Sequence, residues 1–107
     1  MSVKTETEKT DIAGLSDKKL LNAYRIMRLA RGLDNKMLTL LKQGKSYFHI
    51  GTSGHEAVQS ALGLAMKPGH DWYYPYYRGL TIALATGVTA RDTMLQFLSR
   101  KEDPASG

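Results

Sequence analysis

Three histidines, one glutamate and a tyrosine–arginine pair are the groups in this 107-residue chain best suited to chemistry. His49 lies between Phe48 and Ile50, just ahead of the small-residue run Gly51-Thr-Ser-Gly54. An imidazole there can serve as a general base, as a ligand, or simply as a ring packed at a loop edge. His55 falls in the first turn of a predicted helix and His70 in a Pro-Gly-His-Asp turn, and both read as partly exposed side chains. The His49…His55 spacing is not that of two ligands on one helix face, and no HExxH occurs. Glu56 stands at capping-box distance from Ser53, where its carboxylate would cap the Ser53 amide and complement the helix dipole. Structural duty is the first expectation for it.

The most suggestive constellation is Tyr76-Tyr77-Arg78-Gly79. An arginine with a phenol beside it, opening a small-residue helix, can turn a charged fork, a hydroxyl and backbone donors toward one phosphate group. Gly79 would let a ligand approach the backbone. The competing reading stacks Arg78 on Tyr74 or Tyr76 through a cation–π contact, with the tyrosines as core. Composition alone does not separate the two.

These groups need elements to hold them. Ser16 is a good N-cap, Asp17 suits a first turn, and Leu20, Tyr24, Met27, Leu33, Met37 and Leu41 form the stripe of an amphipathic helix. Gly44 offers the left-handed stop, after Lys42, so the first helix is predicted over residues 17–43. An irregular aromatic connection follows. A second helix is predicted over residues 54–66, halted by Pro68-Gly69, and its small side chains would let another element come close. Asp71-Trp-Tyr-Tyr-Pro-Tyr-Tyr-Arg78 has high β-propensity, and Pro75 limits any strand there to a short or edge piece. A short apolar helix should occupy residues 79–86, closed by Gly87. Thr89 and Asp92 have the spacing to open one more helix, through Met94, Leu95, Phe97 and Leu98. The expectation is at least four helices and one short strand.

Composition narrows the classes further. Hydrophobic residues make up 42% and there is no cysteine, which excludes disulfide scaffolds, zinc knuckles and thiol nucleophiles within this stretch. No apolar run is long enough to span a bilayer, and the polar N-terminus lacks the apolar core of a signal peptide, so a cytoplasmic location is expected. Residues 1–15 read as a disordered polar tail. The net charge of +5 is spread along the chain with no like-charge block, which favours a solvated helix surface over a nucleic-acid footprint. A single phosphate or diphosphate needs only one well-placed arginine, so an anionic small ligand stays open.

Taken in order, Met37-Leu-Thr-Leu-Leu-Lys-Gln-Gly44, Tyr47-Phe-His-Ile50, Gly54-His-Glu-Ala57, Pro68-Gly69, Pro75-Tyr-Tyr-Arg78, Gly87-Val-Thr-Ala-Arg91 and Asp103-Pro-Ala-Ser-Gly107 form a recognisable succession. It resembles the N-terminal part of the E1 α subunit of thiamin-diphosphate-dependent 2-oxo acid dehydrogenase complexes. The pyruvate, branched-chain and acetoin dehydrogenases belong to that family. The resemblance covers residues 16–107, read as the truncated N-terminal part of a thiamin diphosphate-binding domain. It implies a mostly helical fragment of an α/β fold whose complete chain carries a parallel sheet flanked by helices.

The resemblance also implies roles. Tyr77 and Arg78 match the family's pair that binds the diphosphate of thiamin diphosphate. His49 matches an active-site histidine near the cofactor and the 2-oxo acid, and Phe48 would help wall that pocket. Glu56 matches a Gly-x-Glu-Ala motif and stays structural, because the glutamate that activates the aminopyrimidine belongs to the β subunit. The Mg²⁺ ligands, a Gly-Asp-Gly followed by an Asn, are expected beyond residue 107, so no metal ligand is assigned here and the fragment alone is expected to be inactive. Expected partners are an E1 β subunit or fused β region, a lipoyl-bearing E2 and the 2-oxo acid, in an oligomer, with neither nucleic acid nor membrane. Which 2-oxo acid it takes is not fixed by these residues. The alternative from another class is a small basic helical module for nucleic acid or a protein partner. It would need Arg25, Arg28, Arg31, Lys36 and Lys42 to form one stripe.

Overall fold

The first helix begins where the Ser16 hydroxyl accepts the Lys19 amide at 3.2 Å. This helix, α1, runs from Asp17–Lys42 in the computed structural model, which describes residues 14–106. It ends as the sequence predicts. Gly44 takes φ +77°, and the Gly44 and Lys45 amides bond back to the Leu41 and Leu40 carbonyls. Three further helices follow: α2 (Glu56–Ala65), α3 (Leu80–Ala85) and α4 (Ala90–Phe97). The last opens on the expected device, with the Thr89 hydroxyl accepting the Asp92 amide at 3.0 Å. The polar tail expected over residues 1–15 falls almost wholly outside the described residues.

Helix α2 packs against α1 and α3, and α1 also meets α3 and, more lightly, α4. Close approach is built on small residues. A Cβ on Gly63 would overlap that of Ala85, so α2 and α3 touch nearly backbone to backbone. Around this junction lie the buried Ala30, Met37, Ile82 and Leu84, together with the buried hydroxyls of Thr52, Ser60 and Thr81. Thr52 and Thr81 satisfy each other at 3.2 Å, and no fully buried side-chain nitrogen or oxygen among the described residues lacks a partner.

Three expectations need correction. No strand forms among the described residues: residues 71–76 run without regular structure, ending in a turn where the Gly79 amide bonds the Tyr76 carbonyl. Pro75 brings no amide and no second strand forms among the described residues, so high β-propensity finds nothing there to pair with. The predicted α1 stripe departs at Tyr24, which is exposed; Met37 is buried, Leu20, Met27, Leu33 and Leu41 are half-buried, and the stripe omitted the buried Ala30 and Asp34. The capping box of Ser53 and Glu56 does not form. Helix α2 starts at Glu56 with His55 as its cap and no side-chain cap bond, while both Ser53 donors turn to the Asp34 carboxylate instead. A buried carboxylate is the stronger acceptor for those donors.

Candidate active site

The connection between α1 and α2 is held by two carboxylates. Asp34 accepts on Oδ2 from the Thr52 amide at 2.9 Å, the Ser53 amide at 3.0 Å and the Ser53 hydroxyl at 3.0 Å. Its Oδ1 lies 2.8 Å from His49 Nε2. Glu56 accepts the Gly54 amide at 2.8 Å on one oxygen and the Arg31 Nε–H at 2.6 Å on the other. The Arg31 hydrogen bond is the main cause that holds the buried Glu56 carboxyl at about 2, well under its ordinary value. This agrees with a structural role for Glu56, delivered through Arg31 and Gly54 and not through the Ser53 amide.

His49, Phe48 and Tyr77 line one open cleft of about 650 Å³, together with Asp34, Met37 and Phe97. His49 is fixed on two sides, by Asp34 and by the edge of Phe97 at 5.6 Å between ring centres. Phe48 and Tyr77 remain largely exposed. The aromatic run is therefore not core. Tyr74, Tyr76 and Tyr77 are all exposed, the last two along the open cleft, and Tyr73 is half-buried, its hydroxyl 3.1 Å from that of Thr86.

Arg78 does not line the cleft itself but joins it through the backbone. Its Nη1 donates to the Gly51 carbonyl at 2.8 Å, and its guanidinium carbon sits 5.9 Å from the Tyr77 ring centre. Gln59 of α2 locks the same corner, donating to the Arg78 carbonyl at 2.8 Å and accepting the Ile82 amide at 3.2 Å. That bond occupies one of the backbone donors at the start of α3 that the sequence had reserved for an anion. No carboxylate pairs with Arg78 among the described residues. A guanidinium held by one neutral carbonyl, with its other N–H groups uncommitted and a phenol beside it, suits a phosphate group. The stacking reading is corrected: Arg78 lies by Tyr77, not by Tyr74 or Tyr76, and all three rings are exposed instead of core.

Gly51 is the hinge of the arrangement. A Cβ there would stand 2.7 Å from Asp34 Oδ2, so only glycine lets the chain pass between that carboxylate and Arg78. Sequence reasoning missed Asp34. The signal was present in its place four residues after Ala30 and three before Met37, on the line that is buried. His55 and His70 stay exposed, and the His70 ring lies 3.2 Å from its neighbour Asp71. The described residues bring together no group of three or more His, Cys, Asp or Glu side chains fit to hold a metal ion, and none of their helices is long and apolar enough to cross a membrane. Of the basic stripe on α1, Arg31 is committed to Glu56 and Arg28 lies against Tyr24.

The sequence matches the model of the dehydrogenase E1 component family over residues 24–107. It is 38% identical over 101 residues to the 2-oxoisovalerate dehydrogenase subunit alpha of Bacillus subtilis, covering 94% of this chain and 31% of that protein. The protein of the same name from Pseudomonas aeruginosa is 36% identical over 93 residues, covering 87% and 22%. The pyruvate dehydrogenase E1 component subunit alpha of Mycoplasma genitalium is 35% identical over 81 residues, covering 76% and 22%. The chain thus spans less than a third of the length of these relatives. No solved structure matches it significantly.

Proposed function

Since the chain belongs to the dehydrogenase E1 component family, we propose that it works as part of an E1 α subunit that decarboxylates a 2-oxo acid with thiamin diphosphate. The acyl group would pass to the lipoyl group of an E2 partner, and an E1 β subunit or fused β region would complete the site. The observation that carries this reading is Arg78, a cation without a carboxylate partner among the described residues, set beside Tyr77 at the edge of the His49 cleft.

Arg78 and Tyr77 fit a diphosphate. The guanidinium is oriented by Gly51 yet retains donors, and the exposed phenol adds another. Arg78 would anchor the group in the ground state, a binding contribution more than a rate contribution. Phe48 and Tyr77 would wall the cleft, and His49 would orient substrate or lipoyl and offer a nitrogen to developing charge. Bound thiamin diphosphate would supply the electron sink for decarboxylation that no protein side chain provides. Mg²⁺ would accompany the diphosphate, with its protein ligands drawn from elsewhere in the E1 component.

The test is an assay of the intact E1 component with a panel of 2-oxo acids and a lipoyl domain as acceptor. Release of CO₂ that depends on added thiamin diphosphate, from at least one of them, is expected. Release independent of the cofactor, or none from any 2-oxo acid, contradicts the proposal.

A further inference from the structure

Among the described residues Asp34 is the one buried acidic group that lines the cleft, and its two oxygens have separate partners. Oδ2 is saturated by the Thr52 amide and by the amide and hydroxyl of Ser53. Oδ1 is left to His49 Nε2, at 2.8 Å. An ionised carboxylate only accepts, so with Asp34 as the carboxylate the hydrogen in its contact with His49 sits on Nε2. Neutral His49 is then the Nε2–H tautomer, and its lone pair is on Nδ1.

Nδ1 has no partner among the described residues. Every fully buried side-chain nitrogen and oxygen among them does have one, so Nδ1 keeps access to the surface, on a ring that lines the cleft. A 180° turn of the ring would put Cε1 in place of Nε2 and forfeit the Asp34 bond, so that bond fixes which way the ring lies. We propose that Asp34 is a positioning residue: it fixes the His49 proton on Nε2 and so turns Nδ1 toward the cleft as a hydrogen-bond acceptor. This rests on the reading of His49 as an active-site group. It adds which nitrogen works, and it assigns a task to a side chain that would otherwise only brace a loop.

Asp34→Asn separates the two tasks. The three loop donors will keep the amide oxygen on their side, which turns the NH₂ group toward His49. Nε2 must then accept, and the proton moves to Nδ1. The experiment is ¹⁵N NMR of the intact protein labelled at histidine, at pH 8, with the His49 signal assigned by its loss in His49→Gln. In the wild type, Nε2 should carry the proton and Nδ1 should show the shift of a bare ring nitrogen. In Asp34→Asn the pattern should reverse and kcat should fall roughly 100-fold or more, as expected for a wrong tautomer. Affinity for thiamin diphosphate should stay within about threefold, because the loop that holds Arg78 keeps its acceptor.

The wild-type spectrum is decisive even if the variant fails to fold. A proton on Nδ1, or on both nitrogens, in the wild type would overturn the role of Asp34. So would a reversed tautomer in Asp34→Asn with kcat unchanged. Full activity in His49→Gln, by contrast, would refute the active-site reading of His49 itself, whatever the wild-type spectrum shows.

Discussion

Two buried carboxylates pin the same connection to α1, and they do so for different ends. Glu56 is paired with Arg31, a permanent cation on the exposed side of the helix, and with a backbone amide. Nothing at that junction faces the cleft. Asp34 is paired with an imidazole whose second nitrogen stays open, and with the loop that carries Gly51 and thereby Arg78. The chemical class is the same in both places. What differs is the partner: a guanidinium spent on its carboxylate makes a brace, whereas an imidazole with an open second nitrogen is, on the proposed reading of His49, a working part.

The largest difference between the two carboxylates is expected from Asp34→Ala. It strips the acceptor from two loop amides, a hydroxyl and His49 together. Removing one side of such a buried network should cost about 3–5 kcal/mol, readable as a lower denaturation midpoint of the intact protein, and should weaken thiamin diphosphate binding as Gly51 and Arg78 lose their place. Retained stability with retained cofactor affinity would make the two carboxylates equivalent after all.

A smaller effect is expected from Glu56→Gln. Arg31 is half exposed and water takes over its solvation, so the loss at neutral pH should be about 1–2 kcal/mol, with activity per folded molecule preserved. The sign of the pH dependence follows from the lowered carboxyl. Because folding depresses the Glu56 pKa from 4.5 to about 2, its stabilisation is complete above pH 4.5 and is lost as pH falls through that window. The gap between wild type and Glu56→Gln in acid denaturation should close between those two values. A constant gap would mean that the ion pair does not supply the stability.

Much of the helical frame was legible in the sequence, because local devices set it. Ser16, Gly44 and the Thr89–Asp92 pair mark helix ends through bonds spanning a few residues, and tertiary contacts leave those unchanged. Longer-range competition was not legible. Ser53 and Glu56 have the spacing of a capping box, yet Asp34, eighteen and more residues earlier, takes the serine and leaves the glutamate to Arg31. An aspartate in a helix with this many charges reads as solvated surface until the fold covers it. Residues 71–78 misled for the opposite reason, since their ring-rich composition favours a strand only where a neighbour offers amides and carbonyls. The parts assigned to Tyr77, Arg78, Phe48 and His49 came from the family resemblance, and the fold sets three of the four on one cleft and Arg78 next to it.

Whether Arg78 anchors a diphosphate is decided by calorimetric titration of thiamin diphosphate into the intact E1 component. Arg78→Ala should weaken binding by roughly 10- to 100-fold, the worth of a charge-assisted contact, while kcat at saturating cofactor changes far less. Affinity equal to that of the wild type would contradict the account.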